Sequence, residues 1–179
     1  MSSVYFLKNL DPVKIKSVLP KFTTPLGVKV HFGEEGNTTF IPAEKIKQIV
    51  DLLSSPTLIE CNVLYKSPRT RASTHIKLAK EHGFDFAPIE ILDGEAGDED
   101  LELPVPGGQH LKLAYLGRGF SKYTSVLFIS HFKGHGLSGF GGAIKNIGMG
   151  LASRRGKLAL HASVKHQVKS EKCLSCGAC

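Results

Sequence analysis

No stretch of the 179 residues contains the roughly eighteen uncharged apolar residues that a membrane-spanning helix requires. The first residues also lack the long apolar run and the small-residue cleavage site of a secretory signal peptide. We therefore expect a cytoplasmic protein without a membrane partner, and in that compartment clustered cysteines bind metal more often than they form disulfides. An apolar share of 41% with 22% charged residues excludes the disordered and fibrous classes and is typical of a globular domain.

Acidic residues are missing from a long part of the chain, because none occurs between Glu102 and Glu171. Residues 108–179 carry 11 basic side chains against a single acid, whereas residues 90–107 carry seven acids and no base. Such a surplus of cations attracts anions and predicts a small anionic ligand. Nucleic acid ranks last among the anions, because no motif rich in arginine and aromatic residues is present. The alternative is that these lysines only solvate the surface.

Strand-like and helical segments alternate over the first 95 residues, which is typical of a mainly parallel sheet with helices packed on it. We therefore expect an α/β fold, with a mainly parallel sheet flanked by helices. An acidic segment rich in glycine and proline interrupts the alternation and predicts a surface loop. The predicted helices are 11–19, 42–53, 72–82 and 143–153, the predicted strands are 27–32, 57–64, 88–92, 110–116, 125–130 and 157–162, and the predicted loop is 93–108.

A glycine-rich segment, residues 130–150, directly follows the predicted strand at 125–130. A strand, a glycine-rich loop and a helix in that order place backbone N–H groups around an anion in many α/β proteins. The spacing matches the Gly-x-Gly-x-x-Gly dinucleotide fingerprint, but the acid that binds a ribose hydroxyl about 20 residues later is absent. The Gly-Lys-Ser/Thr of a phosphate loop is absent as well.

Basic and amide side chains among these glycines are candidates for ligand binding and for proton transfer near neutral pH. We predict His131, His135 and Lys145 as catalytic acid, base and anion anchor. A structural loop whose polar groups face water is the alternative. The candidate ligand-binding residues are Lys133, Gly139, Gly141, Gly142 and Asn146.

Three of the four cysteines are spaced two residues apart, as Cys173-x-x-Cys176-x-x-Cys179. This spacing lets several thiolates converge on one cluster and matches the first part of the bacterial ferredoxin run. It predicts that the three residues ligate a [4Fe–4S] cluster. A zinc site of His161, His166, Cys173 and Cys176 is an alternative that leaves Cys179 without a role, and an unoccupied tail is another.

Three blocks of the chain resemble the uncharacterised iron–sulfur centre proteins, a domain-of-unknown-function family of bacteria and archaea joined to ferredoxin-type modules. The blocks are VHFGEEGNTTFI, LYKSPRTRASTHIKLAKEHGF and ISHFKGHGLSGFGGAIKNIGMGLASRRGKLALH. The resemblance implies an α/β domain over residues 1–168 and, over residues 169–179, the incomplete start of a ferredoxin-type module in a truncated chain. It also implies an iron–sulfur redox protein with a redox partner protein, in which the basic loop binds a small anion.

A weaker resemblance concerns the glycine-rich segment alone. A histidine followed by Gly-Phe-Gly-Gly and a lysine is similar to the loop of the lactate-racemase-like family, whose members bind a nickel–nicotinate-derived cofactor. This resemblance implies a non-redox enzyme that acts on a small carboxylate. Its functional residues would be Lys145 and either His131 or His135, with Gly139, Phe140, Gly141 and Gly142 in the loop.

Overall fold

The structure is a computed structural model that describes residues 3–136, 139–161 and 169–174. Its strands are β1 (Leu26–Lys29), β2 (Pro56–Glu60), β3 (Ile89–Ile91), β4 (Asp100–Pro104), β5 (Leu113–Gly117), β6 (Ser125–Phe128), β7 (Gly134–His135) and β8 (Gly139–Phe140). Its helices are α1 (Pro12–Val18), α2 (Ala43–Val50), α3 (Ala72–Glu81), α4 (Gly142–Gly148) and α5 (Arg154–His161). Short 3-10 turns occupy Pro68–Thr70, Arg118–Lys122 and Ser170–Lys172.

The main sheet has the strand order β3-β2-β1-β6, and its neighbouring strands are parallel. In the register of these pairs, Val28 of β1 lies opposite Leu58 of β2 and Leu127 of β6. Two antiparallel pairs, β4 with β5 and β7 with β8, complete the sheets among the described residues. The predicted α/β fold with a parallel sheet flanked by helices is confirmed.

Both faces of the sheet are covered by buried apolar clusters. Successive residues of a strand point to opposite faces, so neighbouring residues belong to different clusters. Leu58 belongs to a buried cluster with Val28 and Ile46, the last contributed by α2. Its neighbour Ile59 belongs to a second cluster, which Leu151 closes from the other face. A central strand buried on both faces has the continuous apolar sequence that β2 shows.

Local signals in the sequence explain where the helices begin. The Asp11 carboxylate accepts a hydrogen bond from the backbone N–H of Val13 (3.0 Å), and Pro12 occupies the first position of α1. The Ser153 hydroxyl accepts one from the N–H of Gly156 (3.2 Å) at the start of α5. Within the described residues, no helix combines the length and the apolar character that crossing a membrane requires.

Three predicted elements differ from the structure. The predicted loop 93–108 contains β4, because residues 100–104 pair along their whole length with β5. The predicted helix 143–153 ends at Gly148, and Ala152 instead bridges to Leu116. The predicted strand 157–162 is wrong as well, because α5 covers its described part. The predicted domain boundary at residue 168 lies outside the described residues.

The strand order reverses direction at β1. The chain passes outward from β1 to β2 and β3, and then returns to place β6 on the other side of β1. Loops that leave the carboxyl ends of β1 and β6 therefore diverge and leave a crevice between them. Ligands of open α/β sheets bind in such crevices.

Candidate functional site

A cavity of about 310 Å³ lies at the carboxyl ends of β1 and β6, under α4. It takes its walls from the two strand ends, the loops that follow them, and one face of α5. Its charged and imidazole-bearing lining residues are Lys29, His31, Glu34, Glu60, Arg69, His131, Lys133, Lys145, Lys157 and His161. The volume is at the lower end of the range for pockets that hold metabolites.

A buried ion pair forms the floor of the cavity. Lys29 ends β1 and Glu60 ends β2, and the Lys29 Nζ lies 2.6 Å from the Glu60 Oε1, with both side chains almost fully buried. Burial raises the pKa of the Glu60 carboxyl, but the cations around it, Lys29 foremost, hold that pKa well below its usual range. Glu60 is therefore a carboxylate at neutral pH.

A second cation extends this ion pair towards the surface. Arg69, on the 3-10 turn after β2, places Nη2 3.2 Å from the Glu60 Oε2 and Nη1 against the Glu34 carboxylate. Glu34 also accepts hydrogen bonds from the Tyr65 and Ser67 hydroxyls. We call four charged residues, which include the ion pair of the floor, the inner wall of the cavity: Lys29, Glu34, Glu60 and Arg69. Each of its charges faces an opposite one.

His75 supports the inner wall from α3. Its Nε2 accepts a hydrogen bond from the Arg69 Nε (2.9 Å), and the side chain is fully buried. Burial, with the adjacent Arg69, lowers the pKa of His75 to about 3, so the ring is neutral and fixes the orientation of the guanidinium.

The opposite wall comes from the glycine-rich segment. We call His131, Lys133, His135 and Lys145 the outer wall. The Lys145 Nζ is hydrogen-bonded to the His135 Nε2, and burial together with Lys133 lowers the pKa of Lys145. Burial, Lys133 and His31 lower the pKa of His131. The outer wall thus presents basic side chains and no acid.

His131 has a buried atom that lacks a partner. Its Nε2 is shielded from solvent and has no hydrogen-bond partner among the described residues, although the residue lines the cavity. Buried polar atoms are nearly always hydrogen-bonded, and an exception at a cavity indicates a place where a ligand or water binds.

Asn146 joins the inner wall to the start of the glycine-rich segment. Its Oδ1 accepts a hydrogen bond from the Lys29 Nζ (2.9 Å), and its Nδ2 donates to the Ser130 Oγ (2.8 Å) and the Ile129 carbonyl (3.2 Å). One amide therefore ties α4 to the end of β6 and to the ion pair of the floor.

The predicted site residues of the glycine-rich segment fall into two groups. His131, Lys133, Gly142, Lys145 and Asn146 line the cavity. His135 contacts it through Lys145, whereas the predicted ligand-binding residues Gly139 and Gly141 are not in the lining.

The predicted cysteine ligands are described only in part. Cys173 follows the 3-10 turn Ser170–Lys172 and is exposed, whereas Cys176 and Cys179 lie outside the described residues, as does His166 of the alternative zinc site. Within residues 3–136, 139–161 and 169–174, no three His, Cys, Asp or Glu side chains are close enough to hold a metal ion. Ligation of a cluster therefore stays a prediction.

Sequence reasoning missed the inner wall. Lys29 and Glu60 are single charges inside otherwise apolar strands, and this is the signal in the sequence that could have identified them. Because a charge in a buried strand is costly unless it is paired, each predicts a partner of opposite sign at the same sheet edge.

A comparison with known protein families identifies the family of this domain. A family model described as "Domain of unknown function (DUF362)" matches residues 26–175. The chain belongs to this family. The matched residues of the DUF362 domain include both walls of the cavity, and the match contains no ferredoxin-type module. No curated protein and no solved structure matches the chain.

Proposed function

We propose that the DUF362 domain binds a small organic anion, a carboxylate or a phosphate ester, in the cavity between the two walls. The observation that supports this proposal is the distribution of charge. Five lysine and arginine side chains line the cavity against two acids. Both acids are on the inner wall, where Lys29 and Arg69 already neutralise them.

The remaining three are Lys133, Lys145 and Lys157, and we assign anion binding to Lys133 and Lys145, because Lys157 is buried and its pKa is lowered. In a cavity partly shielded from water, such charges attract an anion more strongly than they would at an open surface. The unpartnered Nε2 of His131 adds a hydrogen-bonding group at the same place. A neutral or cationic ligand would leave these groups without compensation.

Titration calorimetry with a panel of small carboxylates and phosphates tests the proposal. We expect Lys133→Ala and Lys145→Ala each to weaken binding about tenfold, which corresponds to about 1.4 kcal/mol. The control is Lys77→Ala on the exposed face of α3, which should leave affinity unchanged. Absence of binding by every anion, or equal losses in the control, would refute the proposal.

A second proposed function concerns the cysteine run, whose donor set fits an iron–sulfur cluster. Thiolates spaced two residues apart are the ligands of bacterial ferredoxins, and Cys173 is exposed. We propose that Cys173, Cys176 and Cys179 ligate a [4Fe–4S] cluster. Such a cluster, when bound, accepts and returns single electrons.

Iron and sulfide analysis of anaerobically purified protein tests this second function. Changing the three cysteines together to serine should abolish iron binding. Cys61→Ser is the matched control, because Cys61 is buried and donates to the Leu151 carbonyl (3.3 Å). Protein that stays free of iron after cluster reconstitution would contradict the proposal.

A further inference from the structure

Two buried lysines reach the cavity, and their surroundings differ. The exposed fraction is 0% for Lys29 and 6% for Lys157, and both line the cavity. A buried lysine is rare and usually paired. The partners of each ammonium group therefore indicate what the residue does.

The ammonium group of Lys29 is fully engaged. Its three donors meet the Glu60 carboxylate at 2.6 Å, the Val30 carbonyl at 2.9 Å and the Asn146 Oδ1 at 2.9 Å. An ammonium has three donors, so none remains for a ligand. This lysine is a structural cation.

Lys157 has far fewer partners. Its Nζ donates to the Ala152 carbonyl, and no carboxylate of the described residues lies within ion-pair distance. Helix α5 sets its position, because Gly156 lies so close to β5 that an added Cβ would be 2.1 Å from the Tyr115 carbonyl oxygen. The close approach directs the next residue, Lys157, into the domain.

Burial is the main influence on the pKa of Lys157, and the charges that face its side chain act in both directions. Burial lowers the pKa of Lys157, and Lys29 acts in the same direction, whereas Cys61, Asp93 and Glu60 oppose the shift. Burial raises the pKa of the Cys61 thiol and raises that of Asp93 to about 6. The thiol is therefore neutral near pH 7 and does not oppose the shift there, which leaves Glu60 and Asp93, and Asp93 gives less stabilisation to the ammonium as the pH falls. A lowered pKa increases the fraction of Lys157 that is present as the amine, the form that attacks a carbonyl.

We propose that Lys157 is the reacting amine of the cavity and forms an imine with a small 2-oxo acid. This inference rests on the proposed anion site, since Lys133 and Lys145 hold the carboxylate of the same ligand. A 2-oxo acid carries both groups that the cavity would bind: a carboxylate, which the lysines of the outer wall attract, and a carbonyl, with which the Lys157 amine reacts.

The covalent step needs no oxidant or reductant. The Lys157 nitrogen lone pair attacks the carbonyl carbon and forms a carbinolamine. The oxygen then leaves as water with both hydrogens of the amine, so that the C=O bond is replaced by a C=N bond. Hydrolysis reverses the step and restores the free lysine.

Borohydride trapping tests the inference on the full chain. Protein is incubated with pyruvate, glyoxylate, 2-oxobutyrate or 2-oxoglutarate, reduced, digested and mapped by mass spectrometry. We expect the reduced adduct at Lys157, reduced adduct formation at least tenfold above that at Lys29 or the exposed Lys77, and no adduct with lactate, which lacks the carbonyl. Because the wild-type chain is mapped, the result does not depend on the folding of a variant.

Calorimetry on the same panel separates this inference from the proposed function. Lys157→Met should retain anion binding and lose the adduct, while Lys133→Ala should weaken binding and reduce the adduct in proportion. A 2-oxo acid that binds in the cavity without forming an adduct at Lys157 would overturn the imine but leave the anion site standing. If no member of the panel binds, both fail.

Discussion

Lys29 and Arg69, on the inner wall, each face a carboxylate, whereas Lys133 and Lys145, on the outer wall, have no carboxylate at ion-pair distance among the described residues. Lys29 and Glu60 of the inner wall end buried parallel strands, and Glu34 and Arg69 lie in the segments that follow them. The outer wall comes from a glycine-rich loop and a seven-residue helix. The paired charges of the inner wall stabilise the arrangement of the wall itself. Lys133 and Lys145, which lack a carboxylate partner among the described residues, remain available to an incoming anion, and loops commonly carry such binding groups.

The largest effect expected from this difference follows removal of an inner-wall acid. Glu60→Gln leaves the buried Lys29 ammonium without its counter-ion and removes one partner of Arg69. Breaking a buried pair in this way costs about 3–5 kcal/mol of unfolding free energy, measured by urea denaturation. Lys47→Ala, which breaks the exposed Lys47–Asp51 pair, should cost less than about 1 kcal/mol. Equal losses in the two variants would show that the inner wall does not hold the fold.

A pH titration of stability sharpens the comparison, because two buried groups near the inner wall act in opposite directions. The pKa of His75 is lowered to about 3, so between about pH 6.5 and 3 this histidine is protonated only in the unfolded chain. Its contribution to stability is therefore lost as the pH falls. The pKa of Asp93 is raised to about 6, so between about pH 6 and 4 only the folded chain gains its proton and stability rises as pH falls.

Single substitutions separate these two contributions. His75→Gln should make the loss of stability on acidification from pH 7 to 4.5 smaller. Asp93→Asn should make it larger by about 2 kcal/mol, because only about 1.5 pH units of this interval lie below the pKa of about 6. His110→Gln, at an exposed residue, is the control and should follow the wild type. Parallel curves for His75→Gln, Asp93→Asn and wild type would contradict the pKa shifts.

The smallest effect is expected on the outer wall. Lys133→Ala and Lys145→Ala should each change the unfolding free energy by less than about 0.5 kcal/mol, because neither side chain has a buried counter-ion to strand. Urea denaturation measures this directly, on the same variants whose anion affinity falls. A loss above about 1 kcal/mol would place these lysines among the structural residues.

The fold could be predicted from the sequence where local pattern and tertiary packing agree. Helix α2 follows from the spacing of Ile46, Ile49 and Val50, and two of these are buried. The acidic composition of β4 predicts a loop, and only its pairing with β5 makes it a strand. The sequence predicts a strand over 157–162, where the structure has α5, because the contact of α5 with β5 at Gly156 is not visible in the sequence.

The same distinction applies to the cavity. Residues of the outer wall are close in sequence and share a glycine-rich context, so they could be chosen from the sequence. Lys29 and Glu60 are 31 positions apart, and they meet only because β1 and β2 pair in parallel with Lys29 opposite Ile59. Register across a sheet comes from tertiary structure, and no local pattern gives it.

The triple hydrogen bonding of Asn146 has a practical consequence for protein engineering. Its side chain fixes both ends of the glycine-rich segment, at Ser130 and at α4, to the ion pair of the floor. The residues between these anchors should therefore be exchangeable for loops of other lengths and compositions without rebuilding the sheet. Libraries of such loops, selected for different ligands, would keep Asn146 and Lys29 constant.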